Sequence, residues 1–345
     1  MRRAAAIVAL WAGACGSAGA QQGTLPATAL ENFRHVEVSN GLITAQVYPT
    51  GENELYKGGR FDHAGVVFHV TYKGQDFSNY WFDRFVADPN DDGKYPPGVQ
   101  HSCCSASGPM EEFAAVGFQE AGRGGRFLKP GIGIIRRTGD TYSQFVAQQL
   151  LNEGKRTFRS TKNSANFTQD LDDPQSGYGY SYAKTVNLIA GKPQMTITHM
   201  LKNTGKKDIV TTVFCHNFLT LSPASEHMVI TAPFVWSAVE PLQPELVKLD
   251  GKTIRYLAPI PKGVTTQSKM TGYGDKVSDY DFTIMDSKTG FGQRIRADQP
   301  VAEINMWSIS PTYSLEPYIA ISLKPGESKS WTYTYDFFGP GEKAK

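Results

Sequence analysis

The chain has 345 residues, 40% of them hydrophobic and 12% aromatic, with 35 Lys and Arg against 33 Asp and Glu. That composition supports a large core and excludes a disordered chain, and the balanced charge without a long basic run excludes a nucleic-acid-binding surface. Length alone points to two domains, although a large all-β sandwich reaches this size as one.

Residues 1–20 read as an export signal. Arg2 and Arg3 form the basic region, Ala4 to Trp11 the apolar one, and Ala18-Gly19-Ala20 an A-x-A cleavage site before Gln21. The apolar run is too short to serve as a permanent anchor, and no other membrane segment is expected. Cys15 is preceded by Ala12 where a lipidation signal usually carries Leu, so free secretion or release into the periplasm is expected. Cleavage removes two Arg and no acid. The remainder then carries 33 residues of each sign and no net charge. Its cysteines are Cys103, Cys104 and Cys215, which allow one disulfide and a thiol, or three thiols. Asn166-Phe167-Thr168 is a glycosylation sequon, relevant only in a eukaryotic source. The organisation expected is a leader over 21–32, one domain over 33–338 and a tail over 339–345.

In chain order, residues 33–49 read as two short strands around Ser39-Asn40-Gly41, a hairpin signal. Gly58-Gly59-Arg60 follows, then a β-branched strand over 66–72 closed by Lys73-Gly74. Arg60, Asp62 and His63 lie in the intervening loop, where Arg60 and Asp62 either pair at the surface or meet a ligand. Residues 80–109 are loop-like and carry Tyr80, Trp81 and Phe82, then His101-Ser102-Cys103-Cys104. Aromatic side chains on such a loop either stack on sugar rings or pin the loop to the core. Residues 127–137 and 142–151 read as strands. Over 177–188, Tyr178, Tyr180, Tyr182 and Lys184 alternate onto one face. That face is either the floor of a carbohydrate cleft, with Lys184 donating to hydroxyls or a carboxylate, or an ordinary strand face of β-forming tyrosines.

Residues 195–221 read as a hairpin. Met195, Ile197, His199 and Leu201 alternate with polar neighbours, and the turn 203–208 contains Gly205 for a left-handed position. A return strand over 209–214 then delivers Cys215-His216-Asn217 at its end. A polar triplet closing an apolar strand either holds an acid or base at a cleft or is a buried histidine satisfied by backbone. More strands and turns fill 228–301, no helix-period run is evident, and 301–337 closes the chain with Leu315-Glu316-Pro317 and Leu323-Lys324-Pro325-Gly326-Glu327.

Several of these stretches together resemble the aldose 1-epimerase (galactose mutarotase) family. The Gly-Gly loop with its following strand, the Asn203 turn, His216-Asn217-Phe218-Leu219-Thr220-Leu221, the Leu-Glu-Pro motif and the Pro-Gly-Glu turn each have counterparts there. The resemblance spans about residues 33–338 and is strongest at 195–221 and 301–337. It implies an all-β fold, a single antiparallel β-supersandwich of the galactose mutarotase type, with a cleft on its concave face. It also implies that His216 and Glu316 are catalytic. The chain departs from the family pattern before Gly117-Phe118, where the second histidine of the family's first histidine motif falls on Glu112. His101 is then a candidate to fold back as a substitute.

The implied chemistry is anomer interconversion. A base takes the proton of the anomeric hydroxyl, an acid protonates the ring oxygen, and the roles reverse on closure. Glu316 as carboxylate base and His216 as imidazolium acid fit neutral pH. Arg60, Glu112, His101, Tyr182, Lys184, Asn217 and Trp307 are the expected substrate contacts, with a sugar or oligosaccharide as partner and no metal or organic cofactor. The same fold hosts other carbohydrate chemistry. A β-eliminating lyase drawing on Tyr182, Lys184, Arg60 and His216 is one alternative, and a non-catalytic sugar-binding protein is another. A zinc site from His101, Cys103, Cys104, Cys215 and His216 is a weaker fit, because the adjacent cysteines lack metal-ligand spacing.

Overall fold

The computed structural model describes residues 33–49, 55, 56, 58–79, 81, 107–144, 148–222, 225–310 and 312–344, with backbone alone at 99, 100 and 148. The expected signal segment, the leader and the readings placed on Tyr80, Phe82, His101, Cys103 and Cys104 lie outside the described residues.

Among the described residues the regular structure is antiparallel strand throughout, apart from one short 3₁₀ turn at Val277–Asp279. The period-two patterns explain this, because each long strand buries every second residue. In Tyr178–Leu188 the residues Tyr178, Tyr180, Tyr182, Lys184, Val186 and Leu188 all face inward, and in Gln194–Asn203 it is Met195, Ile197, His199, Leu201 and Asn203. The strands build a ten-stranded and a six-stranded sheet, flanked by two four-stranded ones. The ten-stranded sheet contains Ser164–Asp173, Tyr178–Leu188, Gln194–Asn203 and Ser328–Phe338 as successive neighbours. The six-stranded sheet runs from Ser237–Ala238 through Thr266–Thr271, Glu303–Ile309, Thr312–Leu323 and Ile209–His216 to Met110–Phe113 at its other edge. The apolar interior is filled by large rings, including the fully buried Trp331, Tyr333 and Tyr335. This is the antiparallel β-supersandwich expected.

The Asn40-Gly41 signal does form a hairpin, joining Val36–Ser39 to Ile43–Tyr48 with Gly41 at φ 85°. The stretch 127–137 forms two strands, Arg126–Lys129 and Gly133–Arg136, rather than one, and strand begins at Gln148 instead of Tyr142. The segment 195–221 departs further from expectation. Its two strands do not pair with each other. Gln194–Asn203 pairs with Tyr178–Leu188 and Ser328–Phe338, whereas Ile209–His216 pairs with Thr312–Leu323 and Met110–Phe113 in the other sheet. The connection at 204–208 thus carries the chain between layers. Gly205 is needed there for closeness and not for handedness, since a Cβ would stand 2.4 Å from the Gly179 nitrogen. Asn203 is fully buried at this corner and donates its side-chain amide to the carbonyls of Lys207 and Leu323 at 2.8 and 2.9 Å.

The strand alternation also separates two adjacent acids. Glu111 points into the interior and Glu112 out toward the opposite face. Inside, the Lys184 ammonium donates to Glu111 Oε2, His199 Nε2 stands 3.0 Å from Glu111 Oε1, and Asp62 Oδ1 lies 3.5 Å from Lys184. Tyr182 donates to Asp62 at 3.0 Å. Tyr182 and Lys184 are therefore interior residues, which corrects their assignment to a cleft floor. Their strand face packs against the second sheet. Removing one partner of such a pair leaves a charge in the core. Lys184→Met should lower folding stability by about 3–5 kcal/mol, measured by urea denaturation, and adding Glu111→Leu should recover much of the loss. A single variant as stable as wild type would refute this.

Candidate active site

The outward face of the six-stranded sheet forms the floor of a cleft of about 840 Å³. Register explains its lining. Glu303, Asn305 and Trp307 occupy alternate positions on one strand, opposite Tyr318, Glu316 and Ser314 of the next. The strand on the other side of Glu303–Ile309 adds Gln267 and Lys269, paired with Trp307 and Asn305. Ile209–His216 is bonded to Thr312–Leu323 only as far as Val213 opposite Ile319. Continuing that register sets Phe214 across from Tyr318 and His216 across from Glu316, and both contacts form. The Phe214 and Tyr318 ring centroids are 4.4 Å apart, and His216 Nε2 is 3.2 Å from Glu316 Oε1. Pro317 lies in this stretch and offers no N–H, so the ladder is interrupted there, and the chain rejoins Thr312–Leu323 only at Leu219, opposite Tyr313.

Each carboxylate on the floor has defined partners. Asn305 donates to Glu316 Oε2 at 2.8 Å. Arg60 Nε donates to Glu112 Oε2 at 2.6 Å, and the fully buried Lys129 ammonium lies 3.5 Å from Glu112 Oε1 while donating to the Tyr142 hydroxyl at 2.6 Å. Nearer the rim, Lys269 pairs with Glu303 at 3.0 Å. Gly108 admits the strand that bears Glu112, because a Cβ there would stand 2.3 Å from the His216 carbonyl oxygen.

Burial acts oppositely on the two facing groups, since it disfavours the charged form of each. Glu316 is pushed up to about 7, chiefly by burial, against which the Asn305 hydrogen bond and the Arg60 charge act in the other direction. His216 is held well below 6.5, first by burial and then by the Arg60 charge. Near neutral pH the carboxyl is close to its midpoint and the imidazole is uncharged, so the proton that the pair shares with solvent sits on the carboxyl when it is bound, the reverse of the carboxylate and imidazolium expected from the sequence. It still offers one acid and one base.

Of the residues expected to contact substrate, Arg60, Glu112 and Trp307 line the cleft together with His216 and Glu316. Asn217 does not. It is 2% exposed, donates to the Cys215 carbonyl at 3.2 Å and accepts from the Tyr335 hydroxyl at 2.9 Å. Asn217 follows His216 and so takes the other face, as Cys215 does. Cys215 is a buried free thiol facing the core, on the side opposite His216, so these two neighbours cannot ligate one ion. Among the described residues no group of three or more His, Cys, Asp or Glu is placed to hold a metal. Asn305, Lys129, Tyr318 and Phe214 escaped the sequence reading. The alternation Glu303-x-Asn305-x-Trp307 was the available signal for Asn305, whereas nothing local marks Lys129.

A β-supersandwich of this kind is the fold of aldose 1-epimerase and galactose mutarotase-like proteins. The chain is similar in structure to a candidate aldose 1-epimerase from Escherichia coli K12, with a TM-score of 0.54 at 14% identity over 89% of this chain and 99% of that one. A galactose mutarotase related enzyme from Lactobacillus acidophilus gives 0.51 at 12% identity, over 90% and 100% of the two chains. An aldose epimerase homologue from C. elegans gives 0.50 at 11%, over 89% and 99%. No family model matches the sequence, and no curated protein does.

The raised carboxyl has a consequence for stability. Glu316 binds a proton in the folded protein that the unfolded chain, titrating near 4.5, has already released. Its contribution is fully present below the unfolded value and is lost as pH rises through about 7. Glu316→Gln should flatten this part of a melting-temperature profile relative to wild type. Identical slopes for the two proteins between these pH values would contradict the assignment.

Proposed function

We propose that this protein is a carbohydrate-active enzyme of the aldose 1-epimerase type, interconverting the anomers of a free sugar or of a sugar-chain end. The observation that carries the reading is the 3.2 Å approach of His216 to Glu316 on the cleft floor, with the proton held by the carboxyl. Ring opening needs a donor at the ring oxygen and an acceptor at the anomeric hydroxyl, and closure needs the reverse. A pair holding one titrating proton meets both demands. Arg60 and Glu112 would fix hydroxyl groups by charge-assisted hydrogen bonds, and Trp307 and Tyr318 would pack against the apolar faces of the ring. The export expected from residues 1–20 would place this chemistry outside the cytoplasm.

Elimination on a uronate is less well supported. Two of the four groups it would draw on, Tyr182 and Lys184, are spent in the interior on Asp62 and Glu111.

Freshly dissolved α-anomers of several aldoses, followed by proton NMR, test the proposal. The expected result is accelerated equilibration that Glu316→Gln or His216→Ala reduces by about 10²–10⁴-fold. An equilibration rate that the protein leaves unchanged for every aldose would sink anomer interconversion, and binding that survives both substitutions would favour a non-catalytic sugar-binding protein.

A further inference from the structure

A catalytic imidazole is usually oriented through its second nitrogen, which bonds a carboxylate or a backbone carbonyl. His216 lacks this. Its Nδ1 is buried and has no hydrogen-bond partner, while Nε2 faces Glu316. The ring is held instead by other rings. Phe218 lies flat against it, with centroids 3.6 Å apart and planes 14° from parallel. Phe61 meets it edge-on at 5.7 Å and Trp307 at 5.3 Å, and Phe214 lies tilted at 6.1 Å. Behind Phe218, Trp81 stacks at 5.4 Å, so the imidazole ends a three-layer pile. Phe218 also adopts φ 43°, a conformation costly for a bulky residue and kept only where the surroundings enforce it.

We propose that this aromatic box replaces the missing hydrogen-bond partner: it orients His216, and the face of Phe218 receives the positive charge that the ring takes up when it accepts the proton of the anomeric hydroxyl while Glu316 gives its own to the ring oxygen. Phe218 is then a positioning residue. Aromatic faces attract cations, most strongly where water is excluded, and the box surrounds a ring that is 2% exposed. The charged groups lining the cleft are Glu316 from Thr312–Leu323, Arg60 from the loop before Val66–Tyr72, Glu112 from Met110–Phe113, Lys269 from Thr266–Thr271, Glu303 from Glu303–Ile309 and Glu120. Arg60 opposes the imidazolium and Glu316 favours it once deprotonated, so the box adds to the favourable side without adding a titrating group. The inference rests on His216 acting in the proposed acid–base pair, but the state of its ring can be read without any sugar.

The test uses the full chain with ¹⁵N-labelled histidine, as wild type and as Phe218→Tyr, Phe218→Leu and Phe218→Met, the last keeping length and apolarity without a π face. Ring nitrogen shifts give the tautomer and the pH at which His216 protonates. Kinetics of anomer equilibration give kcat and KM separately. In the Leu and Met variants the protonation midpoint should fall by about one pH unit, and kcat by about tenfold with KM within about twofold, while the Tyr variant keeps wild-type values. A midpoint and tautomer unmoved in both Leu and Met variants would overturn the proposal, whatever happens to activity. A shifted midpoint in a protein that equilibrates no aldose would keep the box and remove the anomer reading, so the two failures are distinct.

Discussion

The two large sheets are tied together by one buried ion pair. Glu111, on the edge strand of the six-stranded sheet, reaches across the interior to Lys184 of the ten-stranded sheet, with His199 and Asp62 completing the group. Taking an ammonium and a carboxylate out of water is costly, and their mutual attraction offsets the cost only where further hydrogen bonds satisfy what remains. Glu111 meets that condition, since both its oxygens are engaged, and His199 is clamped flat on Trp331 with centroids 4.7 Å apart. The Lys184 charge holds Glu111 down to about 2 despite its burial, while Asp62, the second acid beside that single ammonium, is pushed up chiefly by burial and also by the Glu111 charge. The pair fixes Met110–Phe113 in depth and register. Because successive residues of a strand face opposite ways, anchoring Glu111 inside places Glu112 on the cleft, where Arg60 and Lys129 hold it.

From that fixed edge the rest of the site follows by register. Ile209–His216 pairs with the Glu112 strand on one side, where His216 stands opposite Met110, and with Thr312–Leu323 on the other as far as Val213, so the position of His216 is set by the register of both ladders. Pro317 interrupts the second ladder beside Glu316, and in that interruption two side chains from neighbouring strands meet on the floor of an accessible cleft. Low polarity around them favours the neutral form of each, and this raises the Glu316 carboxyl to about 7 and keeps charge off His216. The same low polarity would make a transient imidazolium costly, and the surrounding rings lower that cost.

The fold was legible where the chain obeys a simple period. Alternation over 178–188 and 195–203, the Asn40-Gly41 turn and the absence of helical spacing lead directly to antiparallel strands. The resemblance at His216 and at Leu315-Glu316-Pro317 identified two residues that face each other. Period two, however, says which residues share a face and not which face is wet. Tyr182 and Lys184 were therefore assigned to a cleft although their strand is central and covered. The Asn203 turn shows a second limit: a short polar connection with Gly looks alike whether it closes a hairpin or carries the chain from one sheet to the other. The Glu111 anchor and Asn217 depend on distant partners, Lys184 lying 73 residues from Glu111 and Tyr335 lying 118 from Asn217, and no local pattern records such pairings. The protonation state of the pair was unreadable for a related reason, since it depends on burial produced by the whole sandwich.

The most direct measurement is a crystal structure of the protein soaked with D-glucose or D-galactose. The account predicts a sugar on the cleft floor, with its anomeric hydroxyl and ring oxygen within hydrogen-bond reach of Glu316 and His216 and a ring face against Trp307 or Tyr318. A sugar seated elsewhere on the molecule, with the His216–Glu316 contact undisturbed and its cleft filled by solvent alone, would contradict it.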